Sequence, residues 1–455
     1  MDLKAELQQC LRKDQVTDNE TVRERHSRDE SYHTARLPDV VVFPESREDV
    51  VRVMRFAHRH GISVVPFGVG SSLEGHVIPL KGGITLDFER MNRILEIRPD
   101  DFQVRVEPGV TRSQLNRELK KYGLFYPVDP GADATVGGMA ATNASGTTSV
   151  RYGVTRDQVL ELEVVLADGK VIRPGGSAVK SSSGYHLPGL FVGSEGTLGI
   201  FTEIRLKVHG IPEEVLAARA SFPGIAPAVR AARAIQSAGI PVARMELVDA
   251  RAIRQVNRHF QTHYPEQATL FLEFHGNEAG LQRDASFAEE LSSDEGCDDF
   301  LFETGSNARA RLWEARHHLV YAFLHGIPGK KQMVTDVCVP LSALSDSLEH
   351  ACRLIEASHL TGAVFGHIGD GNYHALLMID PQDRADMEEA ARINAALVDH
   401  ALDHGGTCTG EHGVGSGKIR YQRREHEEAL DVMRGIKQLL DPKGILNPGK
   451  IFGEE

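Results

Sequence analysis

Long apolar runs, paired cysteines and an excess of positive charge are all missing from this chain, and each absence removes a class of function. No stretch approaches the roughly 20 apolar residues that a helix needs to span a bilayer. The five cysteines (Cys10, Cys297, Cys338, Cys352 and Cys408) are odd in number and scattered, with no CxxC spacing. That pattern argues against a disulfide framework and against an iron–sulfur relay ligated by this chain, and it suits a reducing compartment. A formal net charge of −13 argues against nucleic acid and anionic membrane as principal partners. A small anionic substrate stays open, because local positive charge or a metal outweighs the global field at a site. Residues 1–13 lack both an apolar h-region and the acid-poor, Arg/Ser-rich character of a presequence. A soluble, cytoplasmic protein is expected, and peripheral docking to a membrane is compatible with it. Internal repeats and low-complexity segments are also lacking.

What is present is organised around residues 366–374, Gly-His-Ile-Gly-Asp-Gly-Asn-Tyr-His, and a second cluster, Gly410-Glu411-His412-Gly413. Two apolar runs, 361–365 and 375–379, flank the first stretch, and its centre is rich in residues that tolerate positive φ. A hairpin is expected there. With a four-residue loop at 369–372, Ile368 pairs with Tyr373 and His367 faces His374, at roughly 5 Å between Cβ atoms. Two imidazoles so placed are half a metal site, which either Glu411 or His412 can complete.

At 455 residues the chain exceeds one ordinary core, so two or three domains are expected. After a helical lead-in (1–36), a strand at 40–43, a helix opened by Ser46 and closed by Gly61, and a strand at 62–66 form a β-α-β unit. The loop that follows, Pro66-Phe67-Gly68-Val69-Gly70-Ser71-Ser72, has no lysine and no GxGxxG spacing, so it is neither a Walker A nor a Rossmann turn. Its glycines and hydroxyls suit either an anion nest or an ordinary turn. Strands are expected at 84–88, 103–107, 159–166, 171–173 and 202–208. Between them, residues 128–153 are dominated by small side chains and hydroxyls, which suits either close backbone packing against a neighbouring element or backbone lying along a large planar or phosphorylated ligand. Beyond residue 212, helices are expected at 226–237, 308–324, 344–357, 387–403 and 425–440, with strands at 268–275 and 333–339.

The ordered series formed by the 66–75 loop, residues 130–153, Gly193-Ser194-Glu195-Gly196-Thr197-Leu198-Gly199, His367–His374, residues 410–415 and Asn447-Pro448-Gly449-Lys450 resembles the FAD-linked D-2-hydroxyacid dehydrogenases. These belong to the vanillyl-alcohol oxidase superfamily. The resemblance implies an α+β fold: a PCMH-type FAD-binding domain of two α/β subdomains (37–210) and an α/β cap that carries the substrate site (211–405). A C-terminal helical segment (406–455) returns to the FAD domain. It further implies that Pro66, Gly68, Val69, Gly70, Ser71 and Ser72 hold the FAD pyrophosphate. Pro130, Gly131, Thr135, Gly138, Asn143, Gly146 and Tyr152 would line the rest, with Glu195, Gly199, Ile200 and Asn447 touching adenosine or ring. His76 lies near a position where some superfamily members attach flavin covalently, but this branch typically does not, so non-covalent FAD is expected.

By the same resemblance His367, His374 and Glu411 are divalent-metal ligands, His412 is the catalytic base and Arg316 clamps the substrate carboxylate. Zinc or manganese suits that ligand set, and iron is compatible. In the dicarboxylate branch the position two after the second metal His is usually Asn, where this chain has Leu376, and a basic residue near Thr335 is missing. A monocarboxylate such as D-lactate is therefore expected, with glycolate or a longer 2-hydroxy acid as the alternative. Electrons would pass to an external acceptor, a cytochrome, quinone or flavoprotein, and a homodimer is compatible. A metallohydrolase is the reading from another class; the lack of an HExxH helix counts against it.

Overall fold

The structure of the chain, a computed structural model, describes residues 2–303 and 305–453. It divides into two compact units: Met1–Ser145 with Gly153–Ile211 and Glu411–Glu455, and Gly146–Tyr152 with Pro212–Gly410.

The first unit holds two α/β cores. In one, strands Val40–Val42 and Val64–Phe67 flank Ile84–Asp87 in parallel, and Val16–Thr17 adds antiparallel to Val40–Val42. The crossover between the parallel strands is the helix Arg47–His60. Ser46 caps it by accepting from Asp49 N, and Gly61 ends it at φ 66°, where a side chain would be strained. Its Val50, Val53, Met54 and Ala57 pack on Val40, Val64 and Leu86, together with Leu7, Leu11 and Val16. Residues before 37 are thus part of this core rather than a separate lead-in.

The other core lies on an antiparallel sheet in the order Ile94–Arg98, Gln103–Val106, Ile200–Lys207, Val159–Val165, Val171–Ile172. The C-terminal stretch belongs to the same unit: Val64 bridges Leu446, and Ile445 and Leu446 are buried in the first core.

In the second unit one antiparallel sheet runs Asp299–Glu303, Glu214–Phe222, Ala268–Gly276, Val242–Val248, Thr361–Gly366, Asn372–Ile379, Lys331–Val334. An apolar cluster joins Val248, Phe271, Phe365 and Leu376 of the sheet to Ile253 and Val256 of helix Ala250–Phe260 and to Phe323. Three expected elements come out divided. Residues 308–324 form two helices that meet at His318, Ser306–His317 and Leu319–Gly326. The 425–440 helix is likewise two, Gln422–His426 and Ala429–Leu440.

The 333–339 strand divides into Lys331–Val334 and Val337–Cys338 because Thr335 breaks the ladder. Its N–H donates to Ala375 O, but its Oγ1, not its carbonyl, accepts from Ala375 N. That leaves Thr335 O for another donor, which matters below.

Candidate functional site

Residues 361–379 do form a hairpin, with one correction. Phe365, not His367, stands opposite His374, so the register is two residues away from the expected one. Two causes combine. The turn takes five residues, closed by Asp370 N–H to His367 O and Gly371 N–H to Ile368 O. In addition, Val337–Cys338 pairs with Tyr373 and Asn372 and occupies that end of the second strand. A slip of two preserves the face, because side chains alternate with period two. His367 and His374 still meet, their rings edge-to-face at 5.5 Å between centroids. The turn depends on Gly371, whose φ is 82° and whose Cβ, if added, would lie 2.1 Å from Val339 O. Gly371→Ala is expected to cost about 2 kcal/mol or more in stability, read as a lowered urea midpoint.

Both imidazoles are held through Nδ1. His367 Nδ1 lies 2.6 Å from Glu246 Oε1, and His374 Nδ1 lies 3.0 Å from Thr335 O, the carbonyl released by the broken ladder. A carbonyl only accepts, so His374 Nδ1 is the donor in that contact. An imidazole whose other nitrogen is tied to a carboxylate or carbonyl is the arrangement metal-binding histidines use. These two residues therefore fit a divalent metal.

Glu246, in the strand Val242–Val248, was not anticipated from sequence, nor was the strand. Its carboxylate also takes Arg316 Nη2 at 2.5 Å. Burial raises the Glu246 pKa, but the His367 and Arg316 charges together outweigh it and hold the carboxyl below its ordinary value. Arg316 is itself buried, lies over the Phe365 ring at 4.8 Å, and keeps its Nε without a hydrogen-bond partner among the described residues. A guanidinium with one edge anchored and a donor left over can receive a carboxylate. Leu376 is fully buried in the same cluster as Phe365. A single signal could have revealed Glu246: a carboxylate between Met245 and Leu247 in a strand otherwise suited to full burial.

In the first unit, the loop after Val64–Phe67 matches a phosphate cradle. Among the described residues, the backbone N–H groups of Val69, Gly70, Ser71, Ser72 and Leu73 donate to no protein acceptor. Gly70 sits at φ 72°, and a Cβ on Gly68 would lie 2.5 Å from Thr135 Oγ1, so backbone and hydroxyl come within reach of one ligand. Thr135 Oγ1 accepts from Gly138 N at 3.2 Å and opens the helix Val136–Thr142, which Asn143 ends at φ 51°. Free amides beside a helix start are a ready anion site, so this loop fits a diphosphate. No side chain would crowd a Cβ at Gly131 within 4 Å.

Other residues expected at the cofactor have structural duties. The Glu195 carboxylate accepts from Val414 N at 2.7 Å and Gly415 N at 2.9 Å, and faces His76 Nε2 at 3.3 Å. Asn447 Nδ2 donates to His76 O and Glu195 O. These contacts clasp the C-terminal stretch within the unit. Gly199 packs against Val164, and Ile200 buries its side chain in the core, which leaves only its backbone for a ligand. Pro66 packs on Gly196. Glu411 accepts from Ser145 Oγ at 2.8 Å. Gly146 and Tyr152 fall in the second unit, where Tyr152 Oη bonds His275 Nδ1 at 2.8 Å. His412 follows Glu411 in the stretch that Glu195 anchors.

An amide-lined loop in one unit, and paired imidazoles beside a buried arginine in the other, are compatible with a flavin-linked oxidoreductase. Residues 38–175 match the FAD binding domain, and residues 211–451 match FAD linked oxidases, C-terminal domain. The chain is 44% identical over 441 residues to a probable mitochondrial D-lactate dehydrogenase of Danio rerio, covering 96% of this chain and 89% of that one. It is 42% identical to the mitochondrial D-lactate dehydrogenase [cytochrome] of Arabidopsis thaliana, covering 93% and 75%. With the glycolate oxidase subunit GlcD of Bacillus subtilis it shares 33%, over 100% of this chain and 97% of that one. Among solved structures, 4-ethylphenol oxidase from Gulosibacter chungangensis superposes with a TM-score of 0.82 at 21% identity, covering 99% and 97% of the two chains. The fold is thus the PCMH-type flavin fold. The chain belongs to the FAD-linked oxidases, in their D-2-hydroxyacid dehydrogenase family, and is an FAD-dependent enzyme that oxidises a 2-hydroxy acid. Among the described residues no helix is long and apolar enough to cross a membrane.

Proposed function

We propose that the protein oxidises D-lactate to pyruvate with non-covalent FAD and a divalent metal, zinc or manganese. The observation that carries this reading is the buried chain Arg316–Glu246–His367, which joins a carboxylate-binding group to a metal-type imidazole through one shared acid. The relatives named D-lactate dehydrogenase support the substrate, and Leu376 and Phe365 favour a short monocarboxylate over a dicarboxylate. When bound, FAD would supply the hydride acceptor for Cα and the metal would supply the Lewis acidity that lowers the substrate hydroxyl pKa.

The chain's own residues do the rest. His367 and His374, with Glu411 as third ligand, hold the metal. Arg316 takes the substrate carboxylate and fixes Cα, which confers the orientation advantage of a bound reactant. His412 receives the hydroxyl proton. The Val69–Leu73 amides and the Ser71 hydroxyl hold the diphosphate, while Ser72 contributes its amide only, because its Oγ donates to Asp29 Oδ2 at 2.9 Å. His76 is buried against Glu195, which favours flavin held without a covalent link. Acid precipitation should therefore leave the yellow colour in the supernatant. We place the protein in the cytoplasm on its free cysteines. Two relatives are mitochondrial by name, and a reducing matrix would satisfy the same residues. A cytochrome is the acceptor we favour, with a quinone or flavoprotein as alternatives.

The test is an anaerobic titration with D-lactate, L-lactate, glycolate and D-2-hydroxyglutarate, followed by flavin bleaching. D-Lactate is expected to bleach fastest. Faster bleaching by glycolate would move the enzyme toward the GlcD reading, and no bleaching by any D-2-hydroxy acid would overturn the proposal. Chelator dialysis should slow bleaching at least tenfold, with recovery on adding Zn²⁺ or Mn²⁺. An unchanged rate after verified metal loss would remove the metal from the reaction.

A further inference from the structure

Four side chains outside the site described above meet between two helices of the second unit. Helix Leu344–Glu356 presents Asp346 and His350, four residues apart. Helix Arg384–Asp403 and its C-cap present His400 and His404, also four apart. Residues i and i+4 share a helix face, so each helix contributes one neighbouring pair. The His350 and His400 rings stack at 4.6 Å and 14°, and the His400 and His404 rings lie 4.2 Å apart. Single ligand atoms from Asp346, His400 and His404 all fall within 4.8 Å of one another.

Three features favour a metal over incidental contact. His404 Nδ1 lies 2.7 Å from His400 O, so its proton is fixed there and Nε2 is left with its lone pair. His400 Nε2 is shielded from solvent, makes no hydrogen bond among the described residues, and has the Asp346 carboxylate 3.4 Å away. His404 also caps the C-terminus of a 20-residue helix, where the backbone dipole favours a cation.

We propose that Asp346, His400 and His404, with His350 stacked on His400, form a second divalent-metal site, suited to Zn²⁺, Cu²⁺ or Ni²⁺, that clips the two helices together. Imidazole-rich sets with one carboxylate select such ions over Mg²⁺ or Ca²⁺. The site shares no residue with His367 and His374. Helix Leu344–Glu356 is also tied to the functional hairpin through Ser347 Oγ and Tyr373 Oη, 2.7 Å apart. Binding here would therefore stiffen the support of that hairpin.

The test compares the FAD-loaded full chain with the His400→Ala/His404→Ala double variant and with Asp346→Asn, all stripped by chelator. In Zn²⁺ equilibrium dialysis the wild type is expected to hold one more equivalent per chain than the double variant. Asp346→Asn should weaken that equivalent about tenfold. The second equivalent of Cu²⁺ added to the wild type should give an electron paramagnetic resonance signal with coupling to at least two imidazole nitrogens, and the double variant should bind no such second equivalent. Zn²⁺ should raise Tm more in the wild type than in the double variant. Equal Zn²⁺ stoichiometry in a folded, flavin-loaded double variant overturns the proposal. Should the alanines impair folding, His404→Ala alone, at an exposed position, serves the same comparison.

Discussion

Replacing Glu246 with alanine is expected to lower stability by roughly 3–5 kcal/mol and metal affinity by 10–100-fold, from one change. The first effect follows from Arg316, which is buried and would be left with its charge uncompensated. The second follows from His367, whose Nδ1 partner fixes the ring. Glu246→Gln separates the two, because an amide keeps a hydrogen-bonding oxygen for Arg316 but carries no charge to steady either neighbour. It should lose less stability than the alanine variant while still losing metal affinity. The acid limb of stability should change as well. The His367 and Arg316 charges hold the Glu246 carboxyl below the ordinary carboxylate range, against the effect of burial, so its contribution is present above that range and fades as pH falls through the lowered folded value. The variants should therefore gain less on going from pH 4 to pH 6. Urea midpoints across that range, with metal content by mass spectrometry, read both effects. A Glu246→Ala protein with wild-type midpoint and full metal would dismiss the carboxylate as the link between the two groups.

The same carboxylate shows where sequence reading stops. The hairpin at 361–379 was legible, because its apolar runs and its Gly/Asp/Asn turn are local signals. The register was not, since it depends on Val337–Cys338 claiming Tyr373 and Asn372 from more than 30 residues away. The role of Glu246, beyond its being a carboxylate in an apolar stretch, was hidden for a related reason. The stretch Val-Ala-Arg-Met-Glu-Leu-Val puts two charges on a strand that is buried by its neighbours in the sheet, and the partners that justify the Glu lie 70 and 121 residues downstream. Propensity and periodicity carry no information about such pairs. Thr335 is a subtler case. A hydroxyl replacing a carbonyl in the ladder is a geometric substitution that no pattern of apolar residues announces, yet it frees the acceptor for His374.

In the first unit the glycine loop after Val64–Phe67 was read as either a turn or an anion nest, and its backbone amides without a protein acceptor among the described residues are compatible with the nest. Composition alone could not, because Gly and Ser serve both. Conversely Glu195 and Asn447, singled out for a ligand through resemblance, spend their visible hydrogen bonds on the chain itself. They close the C-terminal stretch onto residues 76 and 195, which positions the segment that begins with Glu411 and His412.

That clasp bears on His412→Ala, the variant expected to have the largest kinetic effect. Gly413 adopts φ 83°, and a Cβ there would lie 2.6 Å from His76 Nε2 and 2.8 Å from Glu195 Oε1, so the backbone beside His412 is held tightly. Removing the imidazole should leave this backbone, the FAD loop and the His367–His374 pair as they are. Flavin content, metal content and substrate affinity should then stay near wild type. Flavin reduction by D-lactate should slow by about 10²–10⁴-fold, the range a positioned general base supplies. Free imidazole in the buffer should restore part of that rate in the alanine variant and leave the wild type unaffected, because it replaces a proton acceptor and nothing else. Stopped-flow bleaching under anaerobic conditions measures each of these. If His412→Ala reduces its flavin within a few-fold of wild type, the hydroxyl proton leaves by another route. If it loses metal or flavin instead, His412 is a structural or ligating residue and the base must be sought elsewhere.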